Sequence, residues 1–206
     1  MKKNPYPGKF IVFEGLDGAG TETQTKILFN YLKKLRKRVE KLSYPDYQRP
    51  IGNLIHQYLH KKYDFNVKTQ FLIYLTDFVK DIDKINNLLK QKRIIISDRY
   101  FTSTLAYQGL KGFPIKNALK IAELINLPKP DLIIYLKISP ETSIKRKFKE
   151  KGNLDRHESD RKLLGRLTKF YGKLIKKQIF SRWVVINGEK SIEAISKKII
   201  SSLKKI

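Results

Sequence analysis

"FEGLDGAGTETQ", Phe13–Gln24, decides how the rest of the chain is read. A strand-like run, KFIVFEG, leads into it and a helix-like run, TQTKILFNYLKKL, leads out of it. Gly15 and Gly20 stand at the Walker A spacing, G-x-x-x-x-G-K-[ST]. Glycines in such a loop let successive main-chain N–H groups turn inward around phosphate oxygens, helped by the positive end of the following helix. Gly15, Asp17, Gly18, Ala19, Gly20, Thr21, Glu22 and Thr23 therefore form the candidate triphosphate cradle. Asp17 is positioned to hold a metal-bound water or a substrate hydroxyl, and Thr23 to cap the helix or approach the metal. The pattern breaks at Thr21 and Glu22, which stand where Lys and then Ser or Thr belong. The lysine normally neutralises charge as the γ-phosphate moves, whereas the main-chain cradle does not depend on it. Two readings stay open. Either another cation compensates (Lys26 one turn along, or an Arg or Lys from a lid), or the protein binds nucleotides and transfers phosphate poorly.

The rest of the composition fits a nucleotide-binding globule. At 206 residues, with a hydrophobic fraction of 41% and 11 Phe and 11 Tyr, the chain can bury a full core as one domain, residues 1–206. The absence of cysteine excludes disulfides and thiolate metal sites. MKKNPYPGK carries basic residues with no long apolar stretch behind it, and no apolar run approaches membrane-spanning length. A soluble, cytoplasmic protein without membrane contact is expected. The net charge of +25 is spread as lysine over all the helical stretches, so it reads as a basic composition rather than a nucleic-acid-binding arm. Nucleic acid is not an expected partner; salt-sensitive capture of polyanionic nucleotides is.

Apolar runs recur at Phe10–Phe13, Val39–Leu42, Arg93–Ser97, Leu132–Ile138 and Trp183–Ile186, separated by helical patterns such as Lys26–Lys37 and Val67–Lys90. Continuous apolar strands alternating with amphipathic helices predict an α/β fold with a parallel sheet covered on both faces. Ligands of such sheets bind at the carboxyl ends of the strands. Three chemical clusters fall there: Gly15–Thr23, Ser43–Arg49 and Asp98–Gln108. The highly charged segment of about 145–160 suits a mobile lid, and Ser191–Ile206 reads as a closing helix.

"SDRYFTSTLAYQG", Ser97–Gly109, suits phosphoryl transfer. A carboxylate at a strand end, Asp98, can hold Mg²⁺ directly or through water. Arg99 beside it offers a planar fork of donors to a phosphate. This stretch resembles the signature of thymidylate kinases. The resemblance continues through FEGLDGAG, Tyr44-Pro45-Asp46, Pro50–Gly52, PDLIIYLKISPE, Leu154–Glu158 and WVVING, in the family's order and along almost the whole chain. It implies a three-layer P-loop fold with a five-stranded parallel sheet and a helical lid. It further implies Mg²⁺-dependent transfer of the ATP γ-phosphate to dTMP, giving dTDP, by a homodimer. Carried onto this chain, the family's pattern makes Asp17, Asp98, Arg99, Arg146 and Arg156 catalytic and puts the metal at Asp98 and Thr23. It assigns dTMP to Asp17, Arg49, Tyr74, Phe78, Arg99, Ser103, Thr104, Tyr107 and Gln108. Relatives with Gly at the place of Gly18 bring an arginine from the lid, where this chain has Arg146, Lys147, Lys149, Lys151 and Arg156. Asp155 and Glu158 match lid acids.

Two further departures weaken the match on the acceptor side. Tyr47 stands where many members have an arginine for the monophosphate, with Arg49 two residues on. Phe78 stands where the family has an arginine on the thymine carbonyl; Tyr74, one turn earlier on the same face, keeps the stacking ring. Lys80, Gln108 or water would have to replace that donor. Alternatives are a same-fold kinase for another nucleoside monophosphate and a catalytically impaired nucleotide-binding protein.

Overall fold

In the computed structural model, which describes residues 4–151, 156 and 160–203, the five apolar runs become strands. They are β1 (Lys9–Gly15), β2 (Val39–Ser43), β3 (Ile94–Asp98), β4 (Leu132–Lys137) and β5 (Trp183–Asn187). All pair in parallel, in the order β2-β3-β1-β4-β5. Every residue of β1 after Lys9 is buried, as a central strand covered on both faces requires, whereas β2 and β5 at the edges keep exposed positions. The registers Phe13↔Asp98 and Ser43↔Asp98 bring the ends of β1, β2 and β3 level. The three sequence clusters therefore share one sheet edge.

The flanking helices are α1 (Thr21–Lys34), α2 (Pro50–Leu59), α3 (Val67–Val79), α4 (Ile82–Lys90), α5 (Phe101–Leu110), α6 (Ile115–Leu124), α7 (Pro140–Lys151), α8 (Arg161–Lys176) and α9 (Ile192–Leu203). Helix α1 begins at Thr21, directly after Gly20, whose left-handed φ of 87° turns the loop into the helix. The first turn of α1 buries polar rather than apolar side chains, Thr21, Gln24 and Thr25, with Gln24 bonded to Ile192 and Ser196 of α9. The stretch Val67–Lys90, read as one helical pattern, is two helices broken at Lys80 and Asp81. Their side chains are engaged elsewhere: Asp81 accepts from the Tyr44 hydroxyl at 2.9 Å, and Lys80 donates to Asp81 and to the Asp77 carbonyl. Helix α7 carries the first part of the predicted lid and Arg156 and Asp160 are described beyond it, while Leu154, Asp155, His157 and Glu158 lie outside the described residues.

An aromatic cluster closes the core beneath the site. The Tyr44, Phe78 and Tyr100 rings meet mostly edge-on at centroid distances of 5.0–5.8 Å, with Phe10 against Tyr100 at 5.0 Å. Such pairs add roughly 0.5–1.5 kcal/mol each beyond burial. Trp183 is buried, donates its indole N–H to the Ile179 carbonyl at 2.8 Å, and packs near Tyr135 and Tyr171.

Candidate active site

Two cavities open side by side at the carboxyl edge of the sheet. One is a trough of about 800 Å³ over Gly18–Gln24, walled by α7 and by the turn after β5. The other is a slot of about 70 Å³ between the β2 loop, α3 and α5, lined largely by aromatic rings. The first has room for a polyphosphate, and the second suits a planar ring inserted edgewise. Asp17 and Arg99 line both.

The backbone at Arg99 separates the two. Its φ is 62°, a left-handed conformation that costs a non-glycine residue about 1 kcal/mol or more. Hydrogen bonds hold it there: Arg99 N–H donates to the Phe13 carbonyl at 2.9 Å, and the Ser97 hydroxyl to the Arg99 carbonyl at 2.6 Å. Asp98 consequently lines the trough but not the slot, while Arg99 borders both and reaches Asp17 Oδ1 at 2.7 Å and Ser103 Oγ at 3.2 Å. Asp98 Oδ1 is shielded from solvent and has no hydrogen-bond partner among the described residues. Burial raises the Asp98 pKa, opposed by the Arg99 charge and the Thr21 hydroxyl.

Glu14 underlies the slot, and sequence reading passed over it. It is fully buried and accepts from the hydroxyls of Thr102 at 2.6 Å, Ser103 at 2.7 Å and Tyr171 at 3.0 Å. Burial raises its pKa, and the nearby Arg99 charge and these hydroxyls work against that. Its signal was available: an acid inside an otherwise apolar central strand needs partners. Tyr107 donates to Asp17 Oδ2 at 3.2 Å, so Asp17 is held from both sides and faces the slot as well as the loop.

Tyr74, Phe78, Ser103, Thr104, Tyr107 and Gln108 all line the slot, as expected from the sequence. Tyr74 is half-buried at its wall, and Phe78 is buried with its ring against Tyr44. Four buried side-chain atoms of slot-lining residues have no hydrogen-bond partner among the described residues: both amide atoms of Gln108, Thr104 Oγ1 and the Tyr100 hydroxyl. Buried groups of this kind are normally paired, and the polar edge of a ligand in the slot would be able to pair them. Arg49 is not brought to the slot. It is exposed at the N-terminus of α2 and lines a separate cavity with Lys80 and Lys84, because Pro50 starts the helix and turns it outward. Tyr47 takes the position at the mouth. Lys80 is likewise held away from the slot, by Asp77 and Asp81.

On the donor side α7 rests directly on the phosphate loop. The Ser143 hydroxyl donates to the Asp17 carbonyl at 2.6 Å, and Arg146 to the carbonyls of Gly18 at 3.2 Å and Gly188 at 3.1 Å. Arg146 thus clamps the loop to the turn after β5. Thr21 is turned inward and buried, whereas Thr23 stays exposed at the rim of the trough with Glu22. Arg156 lies away from the loop: its guanidinium pairs with Asp64 at 2.6 Å and sits 4.7 Å from the Tyr58 ring centroid. Beside it the Lys111 ammonium donates to Gln70 at 2.9 Å, and burial together with the Arg156 charge pushes its pKa down to about 8.

A family profile described as thymidylate kinase matches residues 13–199. The thymidylate kinase of Dictyostelium discoideum is 33% identical over 94% of this chain and 84% of its own length. That of Desulfotalea psychrophila is 30% identical over 97% and 96%. Among solved structures, the thymidylate kinase of Candida albicans, described for its broad substrate specificity, superposes with a TM-score of 0.77 at 26% identity. It spans 96% of this chain and 92% of its own.

Proposed function

Because the chain belongs to the thymidylate kinase family, we infer that it transfers the γ-phosphate of ATP to dTMP, giving dTDP. The observation that carries this reading is the shared wall between trough and slot, where Arg99 and Asp17 border both cavities. The main-chain amides from Gly18 to Thr21 grip the polyphosphate, and Arg146 ties the loop to the turn that walls the nucleotide's far end. Arg99 holds the acceptor phosphate so that its oxygen faces the γ-phosphorus in line; positioning of this kind supplies most of the rate in phosphoryl transfer. Tyr74 stacks on the base, and Tyr107 packs by the sugar.

The donor set fits Mg²⁺. Asp98 presents beside the loop a shielded carboxylate oxygen with no partner among the described residues, and Mg²⁺ on a nucleotide typically rests on one or two carboxylates plus the phosphates. Asp98 would hold the ion, with the Thr23 hydroxyl at the rim, and the ion would neutralise charge on the phosphate oxygens. We further read residues 1–206 as one kinase domain with its lid at about 145–160, acting as a cytoplasmic homodimer. Among the described residues no helix is long and apolar enough to cross a membrane.

Gln108 takes over the base contact that Phe78 cannot make. Its carboxamide presents an N–H donor and a carbonyl acceptor side by side, the complement of an N3–H flanked by a carbonyl on thymine. The same amide turned over meets cytosine, so the test is a coupled assay across dTMP, dUMP, dCMP, dGMP and dAMP. dTMP is expected to give the highest kcat/KM, and another base ranking well above it would overturn the assignment. In Gln108→Leu, kcat/KM for dTMP is expected to fall about 100-fold, through the buried polar edge of the base left unpaired. A fall below about threefold in the same assay would remove Gln108 from base recognition.

A further inference from the structure

Thr21 leaves the phosphate loop without an amine of its own, and the structure shows where the side chain went. It is buried beside the loop floor, its methyl 3.5 Å from the position a Cβ on Gly15 would occupy. It contributes a hydroxyl near Asp98 and no positive charge. The cations around the trough differ in where they stand. Arg99 is bound to Asp17 and borders the acceptor slot. Both terminal nitrogens of Arg146 donate to main-chain carbonyls. Lys26 is exposed on α1 and does not line the trough. Lys190 lines it from an exposed position on the far turn, with Gly188 and Ile192.

Lys147 is different. Its stem packs on the loop itself, with Cγ 3.4 Å from where a Cβ on Gly18 would stand. It lines the same trough as Gly20, Thr21 and Asp98, and its side chain is 12% exposed, against 59% for its partner Glu150. From Cγ the chain runs three more bonds to Nζ, a reach of roughly 4 Å at about 1.5 Å a bond. The ammonium now pairs with Glu150 Oε2 at 2.8 Å, inside the trough's lining. A triphosphate in the trough carries more negative charge than the Glu150 carboxylate and would compete with it for the ammonium.

We propose that Lys147, reaching over Gly18 from α7, is the catalytic cation that replaces the missing loop lysine. The inference rests on the kinase reading above. In the step, an oxygen of the dTMP phosphate forms the new bond to the γ-phosphorus while the bond to the β–γ bridging oxygen breaks. That electron pair stays on the β-phosphate of ADP. Lys147 keeps its proton throughout and stabilises the charge building on the bridging and γ oxygens. The amine comes from α7 rather than from the start of α1, and Gly18 is what lets it approach: any side chain at residue 18 would meet Ser143, Arg146 and Lys147 together.

The test is a cycle of four proteins, the parent, Lys147→Met, Thr21→Lys and the double variant, assayed with ATP and dTMP, with Lys190→Met alongside. Lys147→Met is expected to lower kcat about 100-fold, equivalent to about 2.7 kcal/mol, with KM for dTMP within about threefold. Thr21→Lys is expected to raise kcat of Lys147→Met at least about tenfold more than it raises the parent's, because the two amines serve one charge. A merely structural role would produce no such rescue. Equal factors in both backgrounds would overturn the proposal, as would Lys147→Met retaining kcat within about threefold or Lys190→Met showing the larger loss. A parent that makes no dTDP overturns the kinase reading and this inference with it. A parent that does, with Lys147→Met equally fast, overturns this inference alone.

Discussion

Arg99→Ala is expected to reduce kcat/KM for dTMP by about 1,000-fold or more, with ATP affinity held within about threefold. The size follows from where the guanidinium sits. It is fixed by Asp17 at 2.7 Å and Ser103 at 3.2 Å, and its backbone is locked in the left-handed region by the Ser97 hydroxyl and the Phe13 carbonyl. On the proposed reading the fork would meet the acceptor phosphate preorganised, with little rotamer freedom left to lose. Alanine would remove the contact and leave Asp17 unopposed beside an anionic substrate. Arg99→Lys keeps the charge without the fork and is expected to recover only part of the loss. Steady-state kinetics in dTMP, paired with calorimetric titration of ATP, separates the two substrates. Unchanged dTMP kinetics in Arg99→Ala would remove the residue from the mechanism.

The largest structural effect is expected at Gly52→Ala. A Cβ there would stand 1.9 Å from the Asp46 carbonyl oxygen and 2.2 Å from its carbon, both main-chain atoms of the turn after β2. No rotamer change relieves a backbone clash, so α2 and the Tyr44–Arg49 turn must separate. The turn is tied on its other side, since the Asp46 N–H donates to the buried Asp77 carboxylate at 2.9 Å. A loss of about 3 kcal/mol or more is expected, which lowers Tm by roughly 6–12 °C in a chain of this size. KM for dTMP is expected to rise in parallel, because Pro45 and Tyr47 wall the acceptor slot. Calorimetry showing an unchanged Tm would mean that the turn shifts freely.

The sheet was legible because a parallel core strand has no polar face to maintain. KFIVFEG, RIIIS and LIIYL are apolar enough that strand is their simplest reading, and all five runs became strands. The alignment of three chemical clusters on one edge followed from strand order alone. Contacts that depend on direction were not legible. Sequence spacing makes Arg49 a neighbour of the phosphate position, but Pro50 begins a helix that carries the side chain outward. Arg146 and Arg156 look alike in a charged lid segment; one clamps Gly18 to Gly188, while the other lies over Tyr58. The break at Lys80 and Asp81 was hidden because its cause is a hydroxyl on Tyr44, 37 residues earlier. Thr21 was conspicuous as an absence, yet which amine faces the loop depends on how α7 packs against Gly18.

Trp183 gives the molecule an optical handle of its own. It is the one indole in the chain, and it lies near Tyr171, whose hydroxyl contacts Glu14, which in turn binds Ser103 at the acceptor slot. The chain also has no thiol to compete with an introduced one. A single cysteine placed at exposed Lys149 on α7 and coupled to a dye would make the fluorescence of Trp183 a ruler, reading by energy transfer whether α7 moves when nucleotide is added to an otherwise unlabelled protein.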